Sequence, residues 1–309
     1  MMFKVYFPAV LVSCWLLLLP SSLAQVVKRP QLPFSDPNAF FEAFFGSESA
    51  SERESVSRVK VSFREEANAG SAALVSFKGQ LQQRRIKLVS RGEDFDYLQD
   101  LVSELRPLMR NKGRYQKIRV LIADTDDVDA RSLPGGTIVV YRGLIDFCVS
   151  EAALVGILGH ELSHIDRGHQ LYHLRRWKLA QQSFTSGFDP SKMMDMGGML
   201  AKMFMRPFRP EEETEADADG ARWASELGYD AAEMAYIFQR LEQRDGNKPD
   251  FAPAFFRSHP YHDDRYRAIL KQSALLKTKH SVNRLYIGKK NLESRKSRRR
   301  QEFQDEFTR

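Results

Sequence analysis

Cysteine is almost absent from this chain, with only Cys14 and Cys148 in 309 residues. Cys14 lies in an apolar N-terminal stretch that reads as a removable targeting segment, which leaves Cys148 alone. An intramolecular disulfide is then excluded, even for an oxidising destination. Stability has to come from a packed core and, where one is bound, a metal. Long apolar runs are equally scarce. Past the N-terminus nothing approaches the roughly 20 apolar residues that span a bilayer, so the remaining chain is expected to be soluble or at most peripheral. No internal repeat and no tetratricopeptide-type array is found. Charge of one sign is not abundant either. The formal net charge is +7. Lys289–Arg309 alone holds eight basic and four acidic residues, a surplus of four. The basicity is therefore local and does not describe a nucleic-acid groove along the protein.

What is present is ordinary for a folded chain, at 42% hydrophobic and 28% charged residues, enough to bury a sizeable core. The first residues read as an export signal. Lys4 precedes the apolar stretch Val5–Leu19, then come Pro20 and Ser22-Leu23-Ala24. The small residues Ser22 and Ala24 fit cleavage after Ala24; the alternative is retention as an anchor. Residues 25–93 form a leader and variable region. Within it, the Phe40/Phe41/Phe44/Phe45 cluster suits a short amphipathic helix, Gly46–Ser57 a loop, and Val59–Phe63 and Ile86–Val89 short strands.

From Asp94 the periodicity sharpens. Phe95, Leu98, Leu101, Val102, Leu105 and Leu108 repeat as on one helical face, giving a helix over 94–111. Ile118–Ala123 and Thr137–Tyr141 are β-branched and alternate, with turns at Asp124–Asp129 and Pro134-Gly135-Gly136, and suggest an antiparallel pair. Ser150 can cap a helix running from Glu151 to about Arg167 and stopped by Gly168. Further helices are expected over about 170–182, 211–227, 231–245 and 263–276. The fold class is therefore α+β, mainly helical, with a small antiparallel sheet packed on helices.

The chemistry is concentrated in His160-Glu161-Leu162-Ser163-His164. Residues four apart share a helical face, so both imidazoles can reach one ion. Zinc takes such nitrogens at about 2.0–2.1 Å, and a catalytic site adds a third protein ligand and leaves a fourth position for water. Glu161 stands beside the pair, where a general base is needed. The apolar run Ala152–Gly159 indicates a buried helix, which carries polar groups only when they have partners. The third ligand is not the histidine of a HExxHxxGxxH pattern, because Gly168 and His169 are out of register. Glu213-Thr214-Glu215-Ala216-Asp217 is the better source. Glu213 can ligate, and Asp217, on the same face, can hydrogen-bond the far nitrogen of a ligand histidine. A solvated acidic helix start is the plainer alternative, and Glu215 faces elsewhere, toward solvent.

HExxH followed by ExxAD resembles the gluzincin metallopeptidase family of the CAAX prenyl protease, HtpX, Oma-type and BepA-like proteins. The resemblance covers about residues 94–276. It also includes Leu133–Leu144, His169, and His259-Pro260 with Arg265. It implies a zincin-like domain with zinc, one per chain, on His160, His164 and Glu213. It further implies an edge strand near Asp129–Leu133 that binds the substrate backbone. Asp129-Ala130 departs from the Asn-Ala common there, which bears on substrate preference. The membrane helices of the CAAX and HtpX branches and the repeat domain of the BepA-like branch are absent.

His259 is a candidate for oxyanion stabilisation or for the open metal position; a capping histidine beside Pro260 is the plainer reading. Arg265 is expected to pair with an acidic group, and His169 and His173 to be surface residues or to support the ligands. Met193, Met194, Met196, Met199, Met203 and Met205 suit a pliable apolar surface better than a copper site, and their place in the chain suits a lid. Residues 277–309 read as a solvated basic tail, with peripheral contact to anionic lipid or an acidic partner as the functional alternative. The expected activity is a zinc-dependent endopeptidase acting outside the cytoplasm, periplasmic or extracellular, on unfolded or misassembled proteins. A metal-stabilised chaperone or scaffold is the competing expectation.

Overall fold

A computed structural model describes residues 50–183, 203–245, 262–280 and 284–308. The chain enters through helices α1 (Ala50–Ser57) and α2 (Phe63–Gln83). The loop expected up to Ser57 is helical from Ala50, and the strand expected over 59–63 does not form, residues 58–62 linking the two helices. The reason is a capping box. Ser62 Oγ accepts from Glu65 N at 3.2 Å, and Ser62 N donates to Glu65 Oε2 at 2.8 Å, so two orphan donors at the helix start are satisfied reciprocally. Strand β1 (Lys87–Val89) follows, then α3 (Glu93–Leu105). Helix α3 ends earlier than its periodicity suggests, in a 3-10 turn over Arg106–Leu108 with Pro107 in its first turn.

The sheet has four strands, adding β2 (Arg119–Asp124), β3 (Ala130–Leu133) and β4 (Thr137–Tyr141), in the order β1-β2-β4-β3. It is mixed, which corrects the expected antiparallel sheet. β2 and β4 are parallel, with Arg119 opposite Thr137 and Ala123 opposite Tyr141. Strand β3 lies between them in sequence and folds back antiparallel on the far side of β4. That inserted hairpin reverses the direction expected for β4. Its turn is held from outside by α2. Glu66 accepts from Gly135 N at 3.0 Å, from Tyr115 Oη at 2.9 Å and from Arg114 Nε at 2.9 Å. Strand β3 is a sheet edge, as the resemblance implies, and it packs against the helix that carries HExxH.

After α4 (Arg142–Phe147), α5 (Glu151–Arg167) runs through the core with every residue but Arg167 buried. Ser150 Oγ caps it by accepting from Ala153 N, and Gly168 ends it with φ 72°. Burying its leucine and isoleucine side chains is worth roughly 1.5–3 kcal/mol each. Helices α6 (His169–Ser183), α7 (Pro210–Glu226), α8 (Ala232–Asp245) and α9 (His262–His280) complete the helical layer. α7 packs along α5, and α9 packs on α7 and α8. The α5–α7 approach is close. A Cβ on Gly220 would lie 2.6 Å from the Gly156 carbonyl oxygen and 3.0 Å from His160 N.

Residues 284–308 are not the solvated tail expected from their charge. They pack on the domain, with Leu285, Tyr286 and Leu292 buried and helix α10 over Lys289–Ser294. Glu151 N donates to Gly288 O and Ala152 N to Ile287 O, both at 3.0 Å, so this segment satisfies the first backbone donors of α5. The Arg298 guanidinium lies over the rings of Tyr229, Tyr286 and Phe307. Three further cations meet acids: Arg295 with Asp94 and Asp146, Arg300 with Asp100, and Lys290 with Asp305. All described residues belong to one unit, 44–309.

Candidate metal centre and active site

Helices α5 and α7 supply the centre. One turn of α5 puts His160 and His164 on the face that meets α7, and the first two turns of α7 put Glu213 and Asp217 opposite them. All four side chains are buried. The Nε2 atoms of His160 and His164 are 3.0 Å apart. Glu213 Oε2 is 3.6 Å from His160 Nε2, and Glu213 Oε1 is 3.8 Å from His164 Nε2. One ligand atom from each of the three side chains lies within 4.8 Å of the others.

The protons decide what this cluster can hold. His160 Nδ1 is 2.8 Å from Asp217 Oδ1. A carboxylate only accepts, so Nδ1 carries the hydrogen and Nε2 presents a lone pair. Lone pairs and a carboxylate converging on one buried point repel unless a cation lies between them. Two imidazole nitrogens and a carboxylate oxygen are a donor set that suits zinc. Tetrahedral zinc spaces neighbouring ligand nitrogens about 3.3 Å apart, close to the separation found. These residues therefore fit a divalent metal.

Arg265, from α9, holds the acidic side of the centre. Its Nε and Nη2 each donate to Asp217 at 2.7 Å, and its Nη1 is 2.8 Å from Glu213 Oε2. The sequence expectation that it pairs with an acidic group is met twice over. Burial pushes the Asp217 carboxyl up, but the Arg265 guanidinium and His160 outweigh it and hold it down at about 2. Glu161 is buried, one residue along α5 from His160. The guanidiniums of Arg265 and Arg131 are both close enough for their charges to act on it. Arg131 comes from edge strand β3 and is fixed by Asp129, Nε to Oδ2 2.9 Å.

His164 is enclosed by side chains that the motif does not contain. Phe208 stacks on its ring at 3.8 Å between centroids and 13° between planes. His164 Nδ1 is 2.8 Å from His169 Nδ1. His169 is buried, not on the surface, and burial lowers its pKa below the usual imidazole value. Glu215, expected to face solvent, is about half-exposed, yet its Oε2 is 3.3 Å from His169 Nε2 and 2.9 Å from Arg167 Nη1. Ser163, Arg167 and Arg222 converge on Asp219 at 2.9, 2.6 and 2.9 Å and fasten α5 to α7. Phe208, Arg131 and the Asp219 cluster were not singled out from sequence, because no local spacing ties them to the motif. His259, Pro260 and Met193–Met199 lie outside the described residues, as do the side chains of His262 and His280.

Residues 94–273 match the sequence profile of peptidase family M48. The mitochondrial metalloendopeptidase OMA1 of Arabidopsis thaliana is 26% identical over 159 residues, covering 50% of this chain and 32% of that protein. Metalloprotease YcaL of Escherichia coli K12 is 27% identical over 151 residues, covering 47% of this chain and 58% of the relative. The beta-barrel assembly-enhancing protease of Yersinia pestis is 25% identical over 158 residues, covering 47% and 32% respectively. The chain thus spans about a third of the length of the Arabidopsis and Yersinia relatives and less than two thirds of YcaL.

Proposed function

This chain belongs to peptidase family M48, and from that premise we propose that it is a zinc-dependent endopeptidase acting outside the cytoplasm on unfolded or misassembled proteins. Family membership makes it a metal-dependent protease. The observation that supports zinc and the ligand assignment is the convergence of His160 Nε2, His164 Nε2 and the Glu213 carboxylate in one buried point, with His160 oriented by Asp217.

Bound there, the metal supplies Lewis acidity, polarising the scissile carbonyl and acidifying water. The chain's own residues do the rest. Glu161 takes the proton of the attacking water and returns it to the leaving amine. Arg265 balances the negative charge of Glu213 and Asp217, so that both carboxylates stay buried beside the histidines. Asp129 O accepts from Tyr141 N within the β3–β4 pair. By alternation, the backbone groups of Ala130 and Ser132 point away from β4, and an extended peptide adding there as a further strand takes the place of the Gln170 side chain, which donates to the Ser132 carbonyl. An unfolded segment offers such a peptide and a folded domain does not.

Export rests on the N-terminal segment, with Gln25 as the first mature residue. Among the described residues no helix is long and apolar enough to cross a membrane.

The test is zinc content together with casein hydrolysis for the parent and for Glu161→Gln. One zinc per chain in both is expected, with turnover in the variant down by about 10²–10⁴. Hydrolysis that persists in Glu161→Gln would remove Glu161 from the mechanism. Zinc in both proteins with hydrolysis in neither would favour a chaperone or scaffold.

A further inference from the structure

His160 and His164 are held in different ways. The Nδ1 of His160 meets a carboxylate that is itself ion-paired to Arg265. The Nδ1 of His164 meets another imidazole, His169 Nδ1, at 2.8 Å. For His164 to offer Nε2 to a metal, its hydrogen must be on Nδ1. His169 Nδ1 is then the acceptor, and the His169 hydrogen is on Nε2. That nitrogen is 3.3 Å from Glu215 Oε2, and Arg167 Nη1 holds the same oxygen at 2.9 Å. For neutral rings this is the one distribution of hydrogens that leaves the His164 Nε2 lone pair facing the Glu213 carboxylate and His160.

We propose that His169 is a positioning residue for His164, accepting its Nδ1–H and passing the hydrogen-bond chain on to Glu215, so that the His164 ring presents Nε2 to the metal. The proposal rests on the reading of His160, His164 and Glu213 as ligands. The backbone is built for it. Gly168, at φ 72°, ends α5 and turns the chain so that the next residue comes back beside His164, five positions on. A side-chain-bearing residue is strained at that φ. Both rings are enclosed. His164 is 0% and His169 6% exposed, and Phe208 covers one face of the His164 ring. Without His169 the buried Nδ1–H loses the acceptor 2.8 Å away, and with it that constraint on the tautomer.

The chain therefore carries one ligand histidine with a charged acceptor and one with a neutral acceptor. A neutral partner fixes the tautomer and orientation while donating less negative charge to the ring than a carboxylate does. His169 thus acts on geometry more than on basicity, and an acceptor of the same shape should replace it.

The experiment uses the full chain as parent, His169→Asn, His169→Leu and Glu215→Ala. Zinc release to a chelating dye is followed, and the His164 Nδ1–H resonance is observed by nitrogen-edited NMR. Asn places an acceptor oxygen where Nδ1 was; Leu fills similar space with none. The Leu variant should hold zinc about 10–100-fold more weakly and lose the Nδ1–H resonance, while Asn should stay close to the parent and keep it. Glu215→Ala should release zinc faster than the parent. Should the Leu variant fail to fold, the half-exposed Glu215 position decides: unchanged release there overturns the proposal. Equal zinc retention by parent and Leu variant, or Asn as weak as Leu, also overturns it. A parent that binds no zinc overturns the ligand reading and this inference together.

Discussion

Arg265 is the residue on which most of the centre's charge depends. It is buried and contacts both Glu213 and Asp217 through separate nitrogens. Replacing it with Met leaves two buried carboxylates without their cation, and breaking such a pair costs about 3–5 kcal/mol. Urea unfolding of Arg265→Met should show a loss of that order, with zinc content reduced. Arg265→Lys should recover only part of it, because one ammonium cannot reproduce the fork that meets Asp217 twice and Glu213 once. A Lys variant as stable as the parent would show that charge alone is needed. The site was well legible at this scale. HExxH and ExxAD gave His160, Glu161, His164, Glu213 and Asp217, because i,i+4 spacing is visible in sequence. Phe208 and Arg131 were not legible, since a ring stack or a long-range charge leaves no spacing to read.

Two helices must approach closely to form the centre, and glycine permits it. Gly159 on α5 faces Gly220 on α7, and a Cβ added to Gly220 would lie 2.6 Å from the Gly156 carbonyl oxygen. Gly220→Ala should therefore push α7 away from His160, costing about 1–3 kcal/mol as overpacking. It should also separate Glu213 from the histidines, so zinc affinity should fall even though no ligand is changed. Calorimetry and a zinc titration of the same variant check both parts; lost stability with unchanged affinity would mean that α7 tilts about its start and keeps Glu213 in place. The helices themselves were readable from their caps, Ser150 and Gly168 for α5 and Pro210 with three glutamates for α7. Strand direction was not. β2 and β4 look like a hairpin in sequence, and only the placement of β3 makes them parallel.

At the scale of the whole molecule, the C-terminal segment closes the start of α5. It supplies acceptors to the first two backbone donors of that helix and covers Glu151, whose Oε1 accepts from Tyr229 Oη at 2.7 Å and from Arg298 N at 2.9 Å. Removing residues 284–309 should lower the melting temperature and loosen zinc, although no ligand is lost; a truncated chain with parental zinc affinity would show α5 to be anchored elsewhere. Burial pushes the Glu151 carboxyl up to about 7, against the hydrogen bonds from Tyr229 and Arg298. Its pKa in the folded chain is thus above the unfolded value of 4.5. Protonated Glu151 therefore contributes stability that is full below pH 4.5 and is lost as pH rises through 7, up to about 3 kcal/mol. Stability between pH 5 and pH 8 should fall in the parent and fall less in Glu151→Gln. Equal slopes would place the titration on another group.

The sequence by itself determined which residues meet in the candidate centre and on which helices they sit, because ligand spacing, caps and apolar periodicity are local properties of the chain. It also determined the class of fold. Only the tertiary structure decided the order and direction of the strands, the partner of His164, the double role of Arg265, and the docking of the basic C-terminal segment. Each of these depends on groups far apart in sequence. Charge in particular misleads when read locally: Arg295 and Arg300 look like part of a solvated run. Their partners Asp94, Asp100 and Asp146 are some 150–200 positions away, and only folding brings them together.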